Sequence, residues 1–242
     1  MKMLARMTVV LVIIVLLASV AGAKRTYKGS AVQIGSGRAY AWVRLNIHGD
    51  PISVGITMTG GALSGILERK GREWALPMPP EAAATGIEAT SLIWYPNGRG
   101  VLTAPYFNFH FSLIPERVRD VITGAEEDEF ARQPGSRYIP RGYKVVPGGI
   151  PRVGRFWADS NSSMFGGRPF NAEFAYGFYN GRMASFDPMV TLAYLQTRQD
   201  VTGPISRPAT YPGSGYYPDT YNVSYDAGRD RYTVSIEGLR RY

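Results

Sequence analysis

Residues 106–114 alternate without a break. Phe107, Phe109, Phe111 and Leu113 fall on one side, and Tyr106, Asn108, His110 and Ser112 on the other. A period of two marks a strand with two unlike faces, so this segment is predicted to bury an aromatic side and to carry a row of polar, partly titratable groups opposite. Residues 38–47 alternate in the same way, with Ala39, Ala41, Val43, Leu45 and Ile47 set against Tyr40, Trp42 and Arg44. The turn His48-Gly49-Asp50-Pro51 and the apolar run 52–59 extend that strand into an antiparallel hairpin. Further strands are expected over 87–95, ended by Pro96-Asn97-Gly98, and over 170–179 and 182–186, which flank Asn180-Gly181. Asn-Gly signals a two-residue hairpin turn, because both central residues need positive φ. A last hairpin is predicted from 222–225 and 232–236 around Ala227-Gly228.

Helical patterns are short. Pro115 suits the start of a helix over 115–123, since its missing N–H would be unbonded there anyway. Residues 188–197 read as a second helix opened by Pro188, with Met189, Leu192, Ala193 and Leu195 on one face. Residues 62–67 read as a single turn. Pro77, Pro79 and Pro80 mark an extended linker or edge, and the Pro/Gly/Tyr-rich stretches 133–151 and 204–218 read as long ordered loops. The acidic run Glu126 to Glu129 reads as a solvated helix face, because a cation site needs ligands fixed by several elements. No repeat and no shift in composition divides the chain. The expected fold is therefore α+β: a single domain over 36–242, dominated by antiparallel β-sheet and barrel-like in the alternative, with two or three short helices.

Composition supports this. Among 242 residues there are 28 Gly and 17 Pro, aromatic residues make up 12% and charged residues only 19%, a balance that disfavours helix bundles and coiled coils. The first 23 residues read as a signal peptide. Lys2 and Arg6 precede an unbroken apolar run, and Ala21-Gly22-Ala23 offers the small residues of a cleavage site. Cleavage after Ala23 would leave a lead-in segment over 24–35 and place the protein in a secreted, periplasmic or cell-envelope location. Retained, the same segment would be a membrane anchor. The absence of cysteine excludes disulfides and thiol chemistry, so the fold must rest on its core and backbone hydrogen bonds. The net charge of +8 comes mostly from arginines scattered singly along the chain, not from the basic stripe that nucleic-acid binding requires, so no nucleic-acid partner is expected.

Chemistry-bearing residues are few. The two histidines are His48, in a predicted turn, and His110, on the polar face of the most regular strand with Asn108 and Ser112 beside it. His110 suits a general base, a metal ligand or a hydrogen-bonded structural group. Asp159, Glu173 and Asp187 lie near strand or loop ends, and nothing in their spacing forces them together. Nucleophile-elbow, zinc-protease and phosphate-loop motifs are absent from the sequence. Tyr211, Tyr216, Tyr217 and Tyr221 cluster in one loop region. They suit either stacking on sugars or packing that loop onto the sheet.

Several blocks, in order, resemble a known family. They are Gly55-Ile56-Thr57-Met58-Thr59 with Ala62-Leu63-Ser64-Gly65; Pro105-Tyr106-Phe107-Asn108-Phe109-His110-Phe111; Gly142-Tyr143, Pro147-Gly148-Gly149-Ile150-Pro151-Arg152-Val153-Gly154 and Trp157-Ala158-Asp159; and Tyr176-Gly177-Phe178-Tyr179-Asn180-Gly181-Arg182-Met183 with Pro188-Met189-Val190-Thr191. Tyr211-Pro212 and Gly215-Tyr216-Tyr217-Pro218 follow. Over residues 36–238 the chain resembles a family of exported prokaryotic proteins grouped as a domain of unknown function, to which a sigma-E-regulated protein of Thermus is related. The resemblance implies a strand motif His-x-Asp-x-His-Phe and a later His before a Trp, together a metal or acid–base site. In this chain Tyr106 and Asn108 replace the first His and the Asp, and Phe156 stands where the later His would be, so no metal and no cofactor are expected.

The leading expectation is a non-catalytic extracytoplasmic binding or structural protein that self-associates through aromatic surfaces or meets an envelope component or small molecule. An alternative is a small-ligand binder or enzyme built on Tyr106, Asn108, His110, Phe156, Trp157, Glu173 and Asp187. A further alternative is carbohydrate binding by the Tyr/Trp-rich loops.

Overall fold

The computed structural model describes residues 24–64, 70–166 and 168–242. The expected signal peptide lies outside the described residues. The chain opens with β1 (Arg25–Lys28) and β2 (Val32–Ile34), which pair with the same edge of β3 (Gly37–Leu45). As expected, β3 turns back into β4 (Pro51–Thr59), and one helical turn, α1 (Gly60–Ser64), leads away. Seven strands then build a second sheet: β5 (Arg72–Ala75), β6 (Ala89–Tyr95), β7 (Tyr106–Ser112), β8 (Tyr143–Val145), β9 (Arg155–Asp159), β10 (Ala172–Tyr179) and β11 (Arg182–Thr191). Their connections hold α2 (Glu116–Arg119), α3 (Glu127–Ala131) and α4 (Ser163–Gly166). After α5 (Leu192–Thr197) the chain returns to the first sheet with β12 (Val201–Pro204), β14 (Thr220–Asp226) and β15 (Arg231–Glu237), while β13 (Tyr216–Tyr217) and β16 (Arg240–Arg241) form a separate ribbon.

All of these strand pairs are antiparallel. The first sheet runs β1-β3-β4-β15-β14-β12, and the second runs β5-β6-β7-β11-β10-β9-β8. Both orders pass from one edge to the other, and among the described residues neither sheet closes into a barrel. Their inner faces share one core. Ala41, Val43, Val54, Ile56, Val234 and Ile236 of the first sheet join the same cluster as Leu92, Phe107, Phe109, Phe111, Tyr176 and Phe186 of the second, the arrangement of two sheets packed face to face. No helix among the described residues is long and apolar enough to cross a membrane.

The second sheet is also covered on its outer face. Ile93, Tyr106, Phe156, Ala158, Ala175 and Met189 point that way, and Leu102, Val146, Val153 and Met164 from the connecting loops close over them. Consequently β7 has no exposed side: each residue from Tyr106 to Ser112 is buried.

The structure departs from the sequence expectations in four places, the first being that the described residues hold five short α-helices where two or three were expected. Pro188 does not open a helix. It lies inside β11, the central strand of the second sheet, and the helix starts at Leu192 with Thr191 as its cap, whose Oγ1 accepts from the Tyr194 N–H at 3.1 Å. Without an N–H, Pro188 cannot donate to the ladder, and pairing of β11 with β7 lapses between Phe186 and Met189. The lead-in also contributes strands, because β1 and β2 complete an edge. Finally, β8 and β13 are short strands inside 133–151 and 204–218, stretches whose Gly and Pro content reads as loop. Asn180 and Gly181 do form the tight turn between β10 and β11, at φ 51° and 73°.

An ion-pair network pins α2 to the edge of the second sheet. Arg119 is 1% exposed. Its Nε donates to the Arg152 carbonyl at 3.0 Å, Nη1 to Glu116 Oε2 at 2.7 Å, and Nη2 to Glu73 on β5. Arg152 Nε donates to the other Glu73 oxygen at 2.8 Å. Burial alone would raise the Glu73 carboxyl, but Arg119, Ser91 and Arg152 outweigh it and hold the group below its ordinary value of 4.5. A carboxylate lowered in the folded state stabilises the fold at neutral pH and stops doing so as pH falls through its folded value. Resistance to urea is therefore expected to fall as pH drops below the ordinary carboxyl value of 4.5 toward the lowered folded value. Glu73→Gln is expected to be less stable at neutral pH and to show a shallower slope over that range, and an unchanged slope would contradict this role for Glu73.

Candidate functional site

The alternation that buries three phenylalanines puts Asn108, His110 and Ser112 on the outer face of β7, and β11 brings Ser185, Asp187 and Met189 to the same face. Asp187 is the point of convergence. Its Oδ1 accepts from Asn108 Nδ2 at 2.8 Å and lies 2.7 Å from His110 Nδ1, while Oδ2 accepts from Ser185 Oγ. A carboxylate can only accept, so His110 carries a proton on Nδ1. These groups are sealed: Asn108, Ser185 and Asp187 are 0% exposed and His110 is 1% exposed. The lapse in the ladder at Pro188 lies beside this cluster. Gly177, across β11, makes room for it, since a β-carbon there would lie 2.0 Å from Ser185 Oγ and 3.2 Å from Asp187 Oδ2.

Two atoms of the cluster have no partner. His110 Nε2 and Asn108 Oδ1 are buried without a hydrogen bond, at a desolvation cost of about 1–3 kcal/mol each. Ser112 turns away and donates to the Ile114 carbonyl at 2.7 Å. Among the described residues, no group of three or more His, Asp or Glu side chains could hold a metal ion. The arrangement fixes a carboxylate and orients an imidazole, but a solvent-borne substrate meets neither.

The remaining predicted site residues separate. Tyr106 and Phe156 share the outer face and line an apolar cleft of about 350 Å³ with Leu102, Val146, Ile150 and Met164. Tyr106 stacks on Tyr95 at 4.8 Å between ring centroids, and burial pushes its hydroxyl far above the usual phenol value. Trp157, next to Phe156 in the strand, points to the opposite face and meets Phe178 edge-on at 6.3 Å. Glu173 lies elsewhere, accepting from the Ser163 N–H at 3.1 Å and lining a polar cleft of about 330 Å³ with Asp159, Arg168, Tyr143 and Tyr221. His48 is an exposed turn residue. Within the tyrosine cluster, Tyr211, Tyr217 and Tyr221 are buried, and Tyr211 stacks on Tyr217 at 3.7 Å, so these rings pack loops onto the core.

Sequence reasoning missed Ser185, Ser91, Gly177 and the buried Arg119. Ser185 was within reach, because it precedes Asp187 by two residues and shares its face once 182–191 is read as one strand. Arg119 gave no signal, since two of its partners, Glu73 and the Arg152 carbonyl, lie 46 and 33 residues away in sequence. No protein-family model matches the chain, and no curated protein and no solved structure matches it.

Proposed function

We propose that the protein is a non-catalytic, extracytoplasmic binding module whose ligand occupies the apolar cleft over the outer face of the second sheet. The observation that carries this reading is the contrast between two neighbouring places. The groups best suited to acid–base chemistry, His110 and Asp187, are closed to solvent, whereas the cleft lined by Tyr106 and Phe156 opens to it. Its volume of about 350 Å³ and apolar lining with few polar groups match small-molecule sites. The buried cluster then serves as a polar pin that holds the floor of the cleft in register. The resemblance to an exported family agrees with a leader over residues 1–23, and with a site in which the family's histidines are replaced.

The neutral fluorophore phenylnaphthylamine is expected to bind the folded protein and brighten. Val146→Trp, which fills the cleft, is expected to abolish that signal while far-ultraviolet circular dichroism stays unchanged. His110→Ala is expected to lower stability by about 2 kcal/mol or more and to leave probe affinity within about twofold, since a twofold change is under 1 kcal/mol. Lost probe binding with unchanged stability in His110→Ala would instead favour a ligand site at the imidazole. For localisation, intact mass of protein recovered from expressing cells is expected to begin at Lys24, and a mass beginning at Met1 would contradict cleavage.

A further inference from the structure

The cleft has a charged group at its mouth. Arg99 lies in the connection between β6 and β7, is exposed, and lines the cleft. Its side chain donates one hydrogen bond, from Nη2 to the Gly149 carbonyl at 3.3 Å. That bond spans the opening, because Arg99 belongs to the lip formed by residues 96–103 and Gly149 to the lip formed by residues 146–154. Among the described residues no carboxylate pairs with Arg99. The acids on that side of the sheet are already held: Glu73 and Glu116 by Arg119 and Arg152, Asp120 by Arg152, and Asp187 within the buried cluster. The guanidinium also acts on the interior: its charge works against burial at the hydroxyls of both Tyr95 and Tyr106.

A molecule lying in this cleft therefore meets hydrocarbon from Leu102, Val146, Phe156 and Met164 along its length and an uncompensated cation where it emerges. A guanidinium bonded to a neutral carbonyl is free to exchange that weak bond for a stronger charge-assisted one. A neutral ligand would gain only from burial. We infer that the cleft takes a small amphipathic anion, with its apolar body inside and its acid group on Arg99. This rests on the reading of the cleft as the binding site.

A matched pair of probes separates the two claims. Anilinonaphthalene sulfonate and phenylnaphthylamine share one ring system and differ by the acid group. The wild-type protein is expected to bind the sulfonate about tenfold more tightly, a difference of about 1.4 kcal/mol. Arg99→Gln is expected to erase that preference, bringing the sulfonate to the affinity of the neutral probe for the same variant, and Arg99→Lys to retain part of it. Added salt is expected to weaken only the sulfonate. Equal affinities in the wild-type protein, or a preference that survives Arg99→Gln, would overturn the anion assignment while leaving the cleft as a binding site. Binding of neither probe would overturn the cleft reading and this inference with it.

Discussion

A carboxylate with no contact to water sits in the central strand of the second sheet. Removing an ion of this kind from water costs several kcal/mol unless donors replace its hydration. Asp187 obtains them from Asn108, His110 and Ser185, whose positions are fixed by the pleat of two neighbouring strands. The requirement spreads outward. Gly177 must lack a side chain, Pro188 coincides with the interruption of the ladder, and loops must cover the outer face so that water does not compete. Arg119 and Glu73 attach α2 to the edge of this sheet, so a second charged network helps hold the cover over the first.

The two sheets consequently differ in kind. The first packs one face on the shared core, and on its other face Trp42, Ser53, Thr57 and Ser235 are buried while Arg38 is exposed. Its Trp42 indole N–H donates to Thr57 Oγ1 at 3.0 Å. The second is buried twice, once by the aromatic core and once by loops, and its outer layer is loose enough to leave a cleft. Sheets covered on both sides read as runs of mixed polarity when one buried face is polar, which is the case for β7. In the function proposed above, binding belongs to the loop layer and the polar cluster beneath it supplies rigidity.

Much of the scaffold was legible in local pattern. The alternation over 106–114 identified a two-faced strand and placed Asn108 and His110 together, and Asn180-Gly181 located a hairpin. Asp187 was named as a candidate, but its partnership with His110 depends on β11 lying beside β7, a pairing across 77 residues that no local pattern encodes. Pro188 misled because proline more often begins a helix than interrupts a central strand. Phe156 and Trp157 are paired only through the motif of the resembled family, a His before a Trp, and as neighbours in a strand they point to opposite faces. The long loops hid two short strands, β8 and β13, and the part of the cleft lined by Val146 and Ile150, since glycine and proline there signal turns and say nothing about what the turns enclose.

The central claim is that Asp187 and His110 form a sealed, directed pair. The chain has only two histidines, and exposed His48 provides an internal reference for His110. Nitrogen-edited NMR of the imidazole rings tests the claim directly. The account predicts that His110 bears a proton on Nδ1 that exchanges with water far more slowly than any ring proton of His48. A His110 ring with Nδ1 bare, or with a proton exchanging as fast as that of His48, would contradict it.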